Sequence, residues 1–179
     1  MGLAIMRFSP AIHATCVVIG TCGVLIRGPS GAGKSALALA LVEHAQDAGL
    51  HAALVGDDRV SLCVAGGRLV ARVPATIAGL IEQRGHGIRS LPYLPAAVVG
   101  LVVDLVPARV IARMPEQAAL SIEIDGVTLP RQPAPESDIS HAKALTLAAL
   151  QELMRKPVSM KGESSVAPQI ADSGTMPGN

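Results

Sequence analysis

Residues 28–35 read GPSGAGKS, so Gly28, Gly33, Lys34 and Ser35 stand at the spacing G-x-x-x-x-G-K-[ST]. Phosphate chemistry accounts for each of these residue types. Glycines let consecutive backbone N–H groups wrap phosphate oxygens, and the helix that follows adds the partial positive charge of its N-terminus. A lysine neutralises the outer phosphates, and a hydroxyl in the last position can ligate magnesium. The candidate nucleotide-binding set is therefore Gly28, Pro29, Ser30, Gly31, Ala32, Gly33, Lys34 and Ser35. The flanks agree with that reading. In front lies the apolar run TCVVIGTCGVLI, ending at Arg27; behind it Leu37, Leu41 and Ala45 share one helical face, with Leu39 and Val42 beside it. Gly49 closes the helix, and HAALVG at 51–56 has the length of a strand. Residues 23–56 thus predict strand, phosphate loop, helix and parallel strand.

The totals fit such a domain. A chain of 179 residues suits one domain with a loose end. Half of the residues are hydrophobic, yet there is one Phe, one Tyr and no Trp, so Ala, Val, Leu and Ile must build the core. That composition fits a sheet covered by helices. A formal net charge of +1 offers no basic field for nucleic acid. Cys16, Cys22 and Cys63 sit inside apolar runs without metal-ligand spacing and read as small buried hydrophobes in a reducing compartment. MGLAIMRFSP lacks the pattern of a secretory leader, and the longest apolar stretches fall short of the roughly 20 residues of a spanning helix. A soluble, cytoplasmic protein that binds neither nucleic acid nor membrane is expected.

Farther along, Val60, Leu62 and Val64 alternate up to Gly66-Gly67, and Leu69, Ala71 and Val73 resume the alternation, the pattern of a two-residue hairpin. PATIAGLIEQRGHGI, 74–88, reads as a short helical segment breaking into a Gly-rich loop. AAVVGLVVDLVP, 96–107, reads as a buried strand, and SIEIDGVTLP places Asp125-Gly126 between alternating strands. After a Pro-rich link, a helix begins near Ser137 with Ile139, Ala142, Leu145, Ala149 and Leu153 along one stripe. Residues 156–179, rich in Ser, Gly and Pro, read as a disordered tail.

LVGDDRV, 54–60, sets Asp57 and Asp58 side by side after an apolar strand. Like charges so close repel, and the pair needs a metal ion or a chemical task. Behind a phosphate loop, a strand-end carboxylate can meet the metal held by Ser35, while its neighbour accepts the proton of an attacking hydroxyl. A solvated turn is the alternative use of two such aspartates.

The order GPSGAGKS, LVGDD, hairpin, EQRGHGI resembles the catalytic domain of HPr serine kinase/phosphorylase, the bacterial enzyme that phosphorylates a serine of the phosphocarrier HPr. The family shows a GxSGxGKS loop, a VADD-type segment and an EIRGLGI signature at similar separations. The resemblance implies an α/β P-loop kinase-type domain with a mixed sheet, flanking helices and hairpins, occupying residues 1–155. It implies ATP and Mg2+ as cofactors, an HPr-like protein as substrate and a homo-oligomer, a hexamer in the family. It makes Glu82 a second magnesium ligand beside Ser35 and Asp57, puts Arg84 in a signature loop serving both reaction directions, and sets His13 near nucleotide and acceptor. Arg113, in ARMPE, matches a later active-site arginine. Asp58 would accept the proton and Asp57 support the metal, but the sequence leaves the order of the two open. The signature here is more polar, EQRGHG in place of EIRGLG. LPRQPAPES stands where the family has a PGRN-like stretch associated with dephosphorylation.

The expected activity is thus transfer of phosphate from ATP to a protein serine, with phosphorolysis as a second direction. A small-molecule P-loop kinase and a nucleotide-gated switch are the competing classes. The first would add an Arg-rich lid and a GTPase-type switch an N-K-x-D element, and neither stands in the sequence.

Overall fold

The computed structural model describes residues 9–155. In chain order the elements are β1 (Ala14–Ile19), β2 (Cys22–Arg27), α1 (Lys34–Asp47), β3 (Ala52–Gly56), β4 (Ser61–Ala65), β5 (Arg68–Arg72), β6 (Leu80–Gln83), β7 (Gly87–Ser90), β8 (Ala96–Val106), β9 (Ser121–Ile124), β10 (Val127–Pro135) and α2 (Ile139–Arg155). The fold is a mixed α/β domain, as expected. An eight-stranded sheet carries the order β3-β1-β2-β8-β10-β9, with the β4–β5 hairpin attached to the first part of β8, while β6 and β7 form a separate pair.

The first apolar run is not one strand but two. It turns at Gly20-Thr21 and folds back on itself, pairing Ala14 with Arg27 and Ile19 with Cys22. No polar alternation marks that turn, because β1 and the centre of β2 are buried on both faces. β1 then pairs antiparallel with β3 as well, so β2 and β3 run in the same direction with β1 inserted between them. The parallel relation across the loop–helix unit holds, with a third strand in the middle.

Two hydrophobic layers flank the sheet. One face, with Val17, Ile19, Val24, Ile26, Leu101, Val103 and Leu105, packs on Leu37, Leu41 and Val42 of α1 and on Ala142 and Leu150 of α2. The other, with Cys16, Val18, Leu25 and Val102, is covered by Val60, Leu62, Leu69 and Ala71 of the β4–β5 arm. Aliphatic side chains, with the Cys16 thiol, supply these contacts, which is how a chain nearly devoid of aromatics closes its interior. Full burial of one Leu, Ile or Val contributes about 1.5–3 kcal/mol. On α2 the fully buried positions are Ala142, Thr146 and Leu150, with the expected stripe residues Ile139, Leu145, Ala149 and Leu153 partly buried beside them. α1 ends in a Schellman arrangement: the amide of Gly49 donates to Gln46 O and that of Leu50 to Ala45 O.

Two further expectations change. Residues 74–88 hold a single 3-10 turn at Ala75–Ile77, after which the chain forms the β6–β7 hairpin. Leu80 and Ile81 alternate between exposed and buried, the period of a strand. The Pro-rich link is itself strand: β10 pairs parallel with β8 over 131–135 and antiparallel with β9 over 127–130. Pro133 and Pro135 are two residues apart, so their missing N–H groups fall on one edge, and β9 pairs only with the earlier part of the strand. The tail at 156–179 lies outside the described residues.

At the loop end of the sheet, Asp104 of β8 receives Arg27 Nε at 2.8 Å, Arg27 Nη2 at 2.9 Å and Arg131 Nε at 2.5 Å. Burial pushes the Asp104 carboxyl upward, but the hydrogen bonds and charges of the two arginines outweigh it and hold it below the usual range. This ion cluster joins β2, β8 and β10 beside Gly28, where the phosphate loop leaves the sheet.

Candidate active site

The loop 28–33 leads from β2 into α1 over a cavity of about 560 Å³. Ser30, Gly31, Gly33, Lys34 and Ser35 line it, facing His13, Asp57, Asp58, Glu82 and Arg84. Gly33 holds φ +100°, and a Cβ there would meet Ile139 Cδ1 at 2.7 Å. The left-handed conformation favours glycine at that position, and any larger residue would also have to displace the end of the Ile139 side chain. Ser137 N donates to Ala32 O at 3.1 Å, so the entrance to α2 also braces the loop.

Lys34 is buried against the loop it follows. Its Nζ donates to Gly28 O at 3.1 Å and to Pro29 O at 3.0 Å, and lies 2.7 Å from His13 Nε2. Burial lowers its pKa, and the Asp58 and Asp57 carboxylates partly offset that effect. An ammonium only donates, so His13 Nε2 accepts and its Nδ1 carries the hydrogen. That Nδ1 lies 3.0 Å from Asp58 Oδ1, giving a chain from Lys34 through His13 to Asp58.

The adjacent aspartates occupy different environments. Asp57 is 9% exposed and accepts from Thr15 Oγ1 at 2.6 Å, from Ser35 Oγ at 2.9 and 3.0 Å, and from the Glu82 amide at 3.2 Å. The chain then turns: Asp58 has φ +64°, and Arg59 N donates to Asp57 O at 2.8 Å. The Asp58 side chain is 64% exposed and faces the cavity beside His13. Hydrogen bonds take up the Asp57 charge while water and His13 face Asp58, so the like-charge problem is relieved by giving each carboxylate its own partners.

Among the described residues, no group of three or more His, Cys, Asp or Glu side chains is placed to hold a metal ion. Magnesium asks less of a protein, since it keeps several waters and uses one or two protein oxygens together with substrate phosphates. The Ser35 hydroxyl and the Asp57 carboxylate, in contact with each other, and Glu82 across the cavity supply hard oxygen donors of that kind. The residues fit the ion.

Of the residues singled out in the sequence, His13, Lys34, Ser35, Asp57, Asp58, Glu82 and Arg84 meet at this cavity. Arg113 does not line it. The segment after β8 runs toward the β9–β10 side, where Arg131 Nη1 binds Ala119 O, and Arg113 is exposed there. Thr15 was not anticipated; its signal is a lone hydroxyl within an apolar strand, two residues after His13. Glu43, Gln83, Ser137 and Ile139 also line the cavity, and only their placement by α1, the β6–β7 hairpin and α2 identifies them.

Comparison with known proteins agrees with this geometry. Residues 6–94 match the family model described as the HPr Serine kinase C-terminal domain. An HPr kinase/phosphorylase of Mycoplasma mycoides is 39% identical over 108 residues, covering 55% of this chain and 33% of the relative. That of Neisseria meningitidis is 30% identical over 135 residues, covering 66% of this chain and 40% of the relative. The chain therefore matches less than half the length of these curated relatives. A solved structure, the Hpr(Ser) kinase/phosphatase from Coxiella burnetii, superposes with a TM-score of 0.64 at 27% identity, over 82% of this chain and 97% of that one. Residues 6–94, which carry the phosphate loop, the paired aspartates and the β6–β7 hairpin, match the HPr serine kinase C-terminal domain family.

Proposed function

We propose that the chain transfers the terminal phosphate of ATP to a serine hydroxyl of an HPr-type phosphocarrier protein, with residues 1–155 as one catalytic domain. The observation that carries this reading is the separation of the two aspartates, one buried on the Ser35 hydroxyl and one open beside His13 and Lys34. The phosphates lie on the amides of 30–35, and Lys34 exchanges its contacts with Gly28 O and Pro29 O for phosphate oxygens. Ser35, Asp57 and Glu82 hold magnesium, which when bound shields phosphate charge. Arg84, at the hairpin tip, stabilises charge on the transferring group. Asp58 accepts the proton of the incoming serine hydroxyl while His13 orients its carboxylate.

Run backward, inorganic phosphate on the same loop would attack the phosphorus of phosphoserine to give pyrophosphate, and Asp58 would return a proton to the serine oxygen that leaves. Support for that direction is the resemblance alone, and 129–137 lacks its Gly-Arg-Asn. Incubation with ATP, magnesium and HPr, scored by mass spectrometry with and without added phosphate, tests both directions. Phosphoserine on HPr supports the reading. Phosphate on an added metabolite points to a small-molecule kinase, and nucleotide binding without transfer to a regulatory switch.

A further inference from the structure

The β6–β7 hairpin that carries Glu82 and Arg84 is not part of the main sheet. Its register pairs Ile81 with Arg89 and Gln83 with Gly87, so Ile81, Gln83 and Arg89 share the face turned toward α1. Ile81 is fully buried in the core, and the Glu82 amide donates to Asp57 Oδ2 at 3.2 Å. These contacts fix the hairpin at the phosphate end of the cavity.

A second attachment lies at the other end. Arg89 Nη1 donates to Glu43 Oε1 on α1 and to Gln83 Oε1 on β6, each at 3.1 Å. Ser35, Leu39 and Glu43 follow one another at four-residue spacing along α1, so Glu43 sits roughly 12 Å beyond Ser35 at 1.5 Å rise per residue. All three line the cavity, with Gln83 facing them. The hairpin thus lies along α1, with Ile81 in the core and hydrogen bonds at two separated points, one on Asp57 and one on Glu43. Two points fix its tilt where one would leave a pivot.

We infer that Arg89 is a positioning residue: by clamping Glu43 and Gln83 together it sets the tilt of the β6–β7 hairpin and so the reach of Glu82 and Arg84 over the phosphate loop. The polar Gln83, which departs from the family signature, is half of the acceptor pair that one guanidinium nitrogen bridges. Glu43 is 57% and Arg89 33% exposed, so the contact adds little to folding stability. Its effect is on geometry, where a displacement of about 1 Å in a catalytic group costs as much as 100-fold in rate.

The inference rests on the kinase reading for its kinetic consequence, and a measurement without turnover keeps the two apart. In the full chain, Arg89→Ala should lower kcat for HPr phosphorylation about tenfold with the Kd for ATP within about twofold. Arg89→Lys should recover part of the loss. Glu43→Ala, which leaves the Arg89–Gln83 bond in place, should lose no more than Arg89→Ala, and the double variant should be no worse than Arg89→Ala, since it removes no further contact of the clamp. Without nucleotide, the amides of 82–88 should exchange hydrogen faster in Arg89→Ala while the melting temperature stays near that of the wild type. Unchanged hairpin exchange, or losses in kcat that multiply in the double variant, would overturn the clamp. Wild-type protein that transfers nothing to HPr would defeat the kinase reading instead, and hydrogen exchange would still decide the clamp.

Discussion

Asp57 and Asp58 are neighbours in sequence and have almost nothing else in common. One is sealed under hydroxyls and an amide, the other stands in the cavity beside His13. Asp58→Asn should leave ATP affinity within a few-fold of the wild type while lowering phosphoryl transfer by about 10³-fold, since it removes a proton acceptor and no phosphate contact. Equal transfer by the variant, in a single-turnover assay, would exclude Asp58 as the base. Lys34→Ala should act earlier, weakening ATP binding by about 10- to 100-fold in a calorimetric titration as charge-assisted bonds to phosphate are lost. Thr15→Val should destabilise the fold by about 1–2 kcal/mol in chemical denaturation, because a buried Asp57 oxygen loses its closest donor. The carboxylate pair itself was legible in LVGDDRV, but its assignment was not, because either aspartate of the pair could take the positive φ that turns the chain at Asp58.

Turn residues made some elements readable. Gly66-Gly67 and Asp125-Gly126 supply the positive φ angles that two-residue hairpins need, and both hairpins form where alternation places them. Buried strands gave less. β1 and β2 read as one run because a strand covered on both faces shows no period, and the 74–88 segment was misread because one alternating pair is a short signal. The cluster joining β2, β8 and β10 was hidden for another reason: Arg27, Asp104 and Arg131 are far apart in sequence and meet only through parallel pairing. Its pH behaviour has a definite sign. A carboxyl held below its usual range stabilises the fold fully above that range, near pH 4, and loses the contribution as pH falls through its depressed value. Asp104→Asn should therefore cost about 3 kcal/mol at pH 7, where the arginines are left without a counter-charge. The difference from wild type in denaturant titrations should shrink progressively below about pH 4.

At the scale of the whole molecule, a sheet buried on both faces brings β1, the phosphate loop, the end of β3 and a detached hairpin to one edge, and the cavity is the space they enclose. Among the described residues no helix is long and apolar enough to cross a membrane. The cavity is open enough that Asp58 stays exposed, as an acceptor presented on the surface of another protein requires. The decisive measurement is site-resolved mass spectrometry of HPr after incubation with the purified chain, ATP and magnesium. Phosphate on one HPr serine, absent when magnesium is chelated and nearly absent with Asp58→Asn, is the predicted result. Unmodified HPr in the presence of a wild-type chain that binds ATP would contradict it.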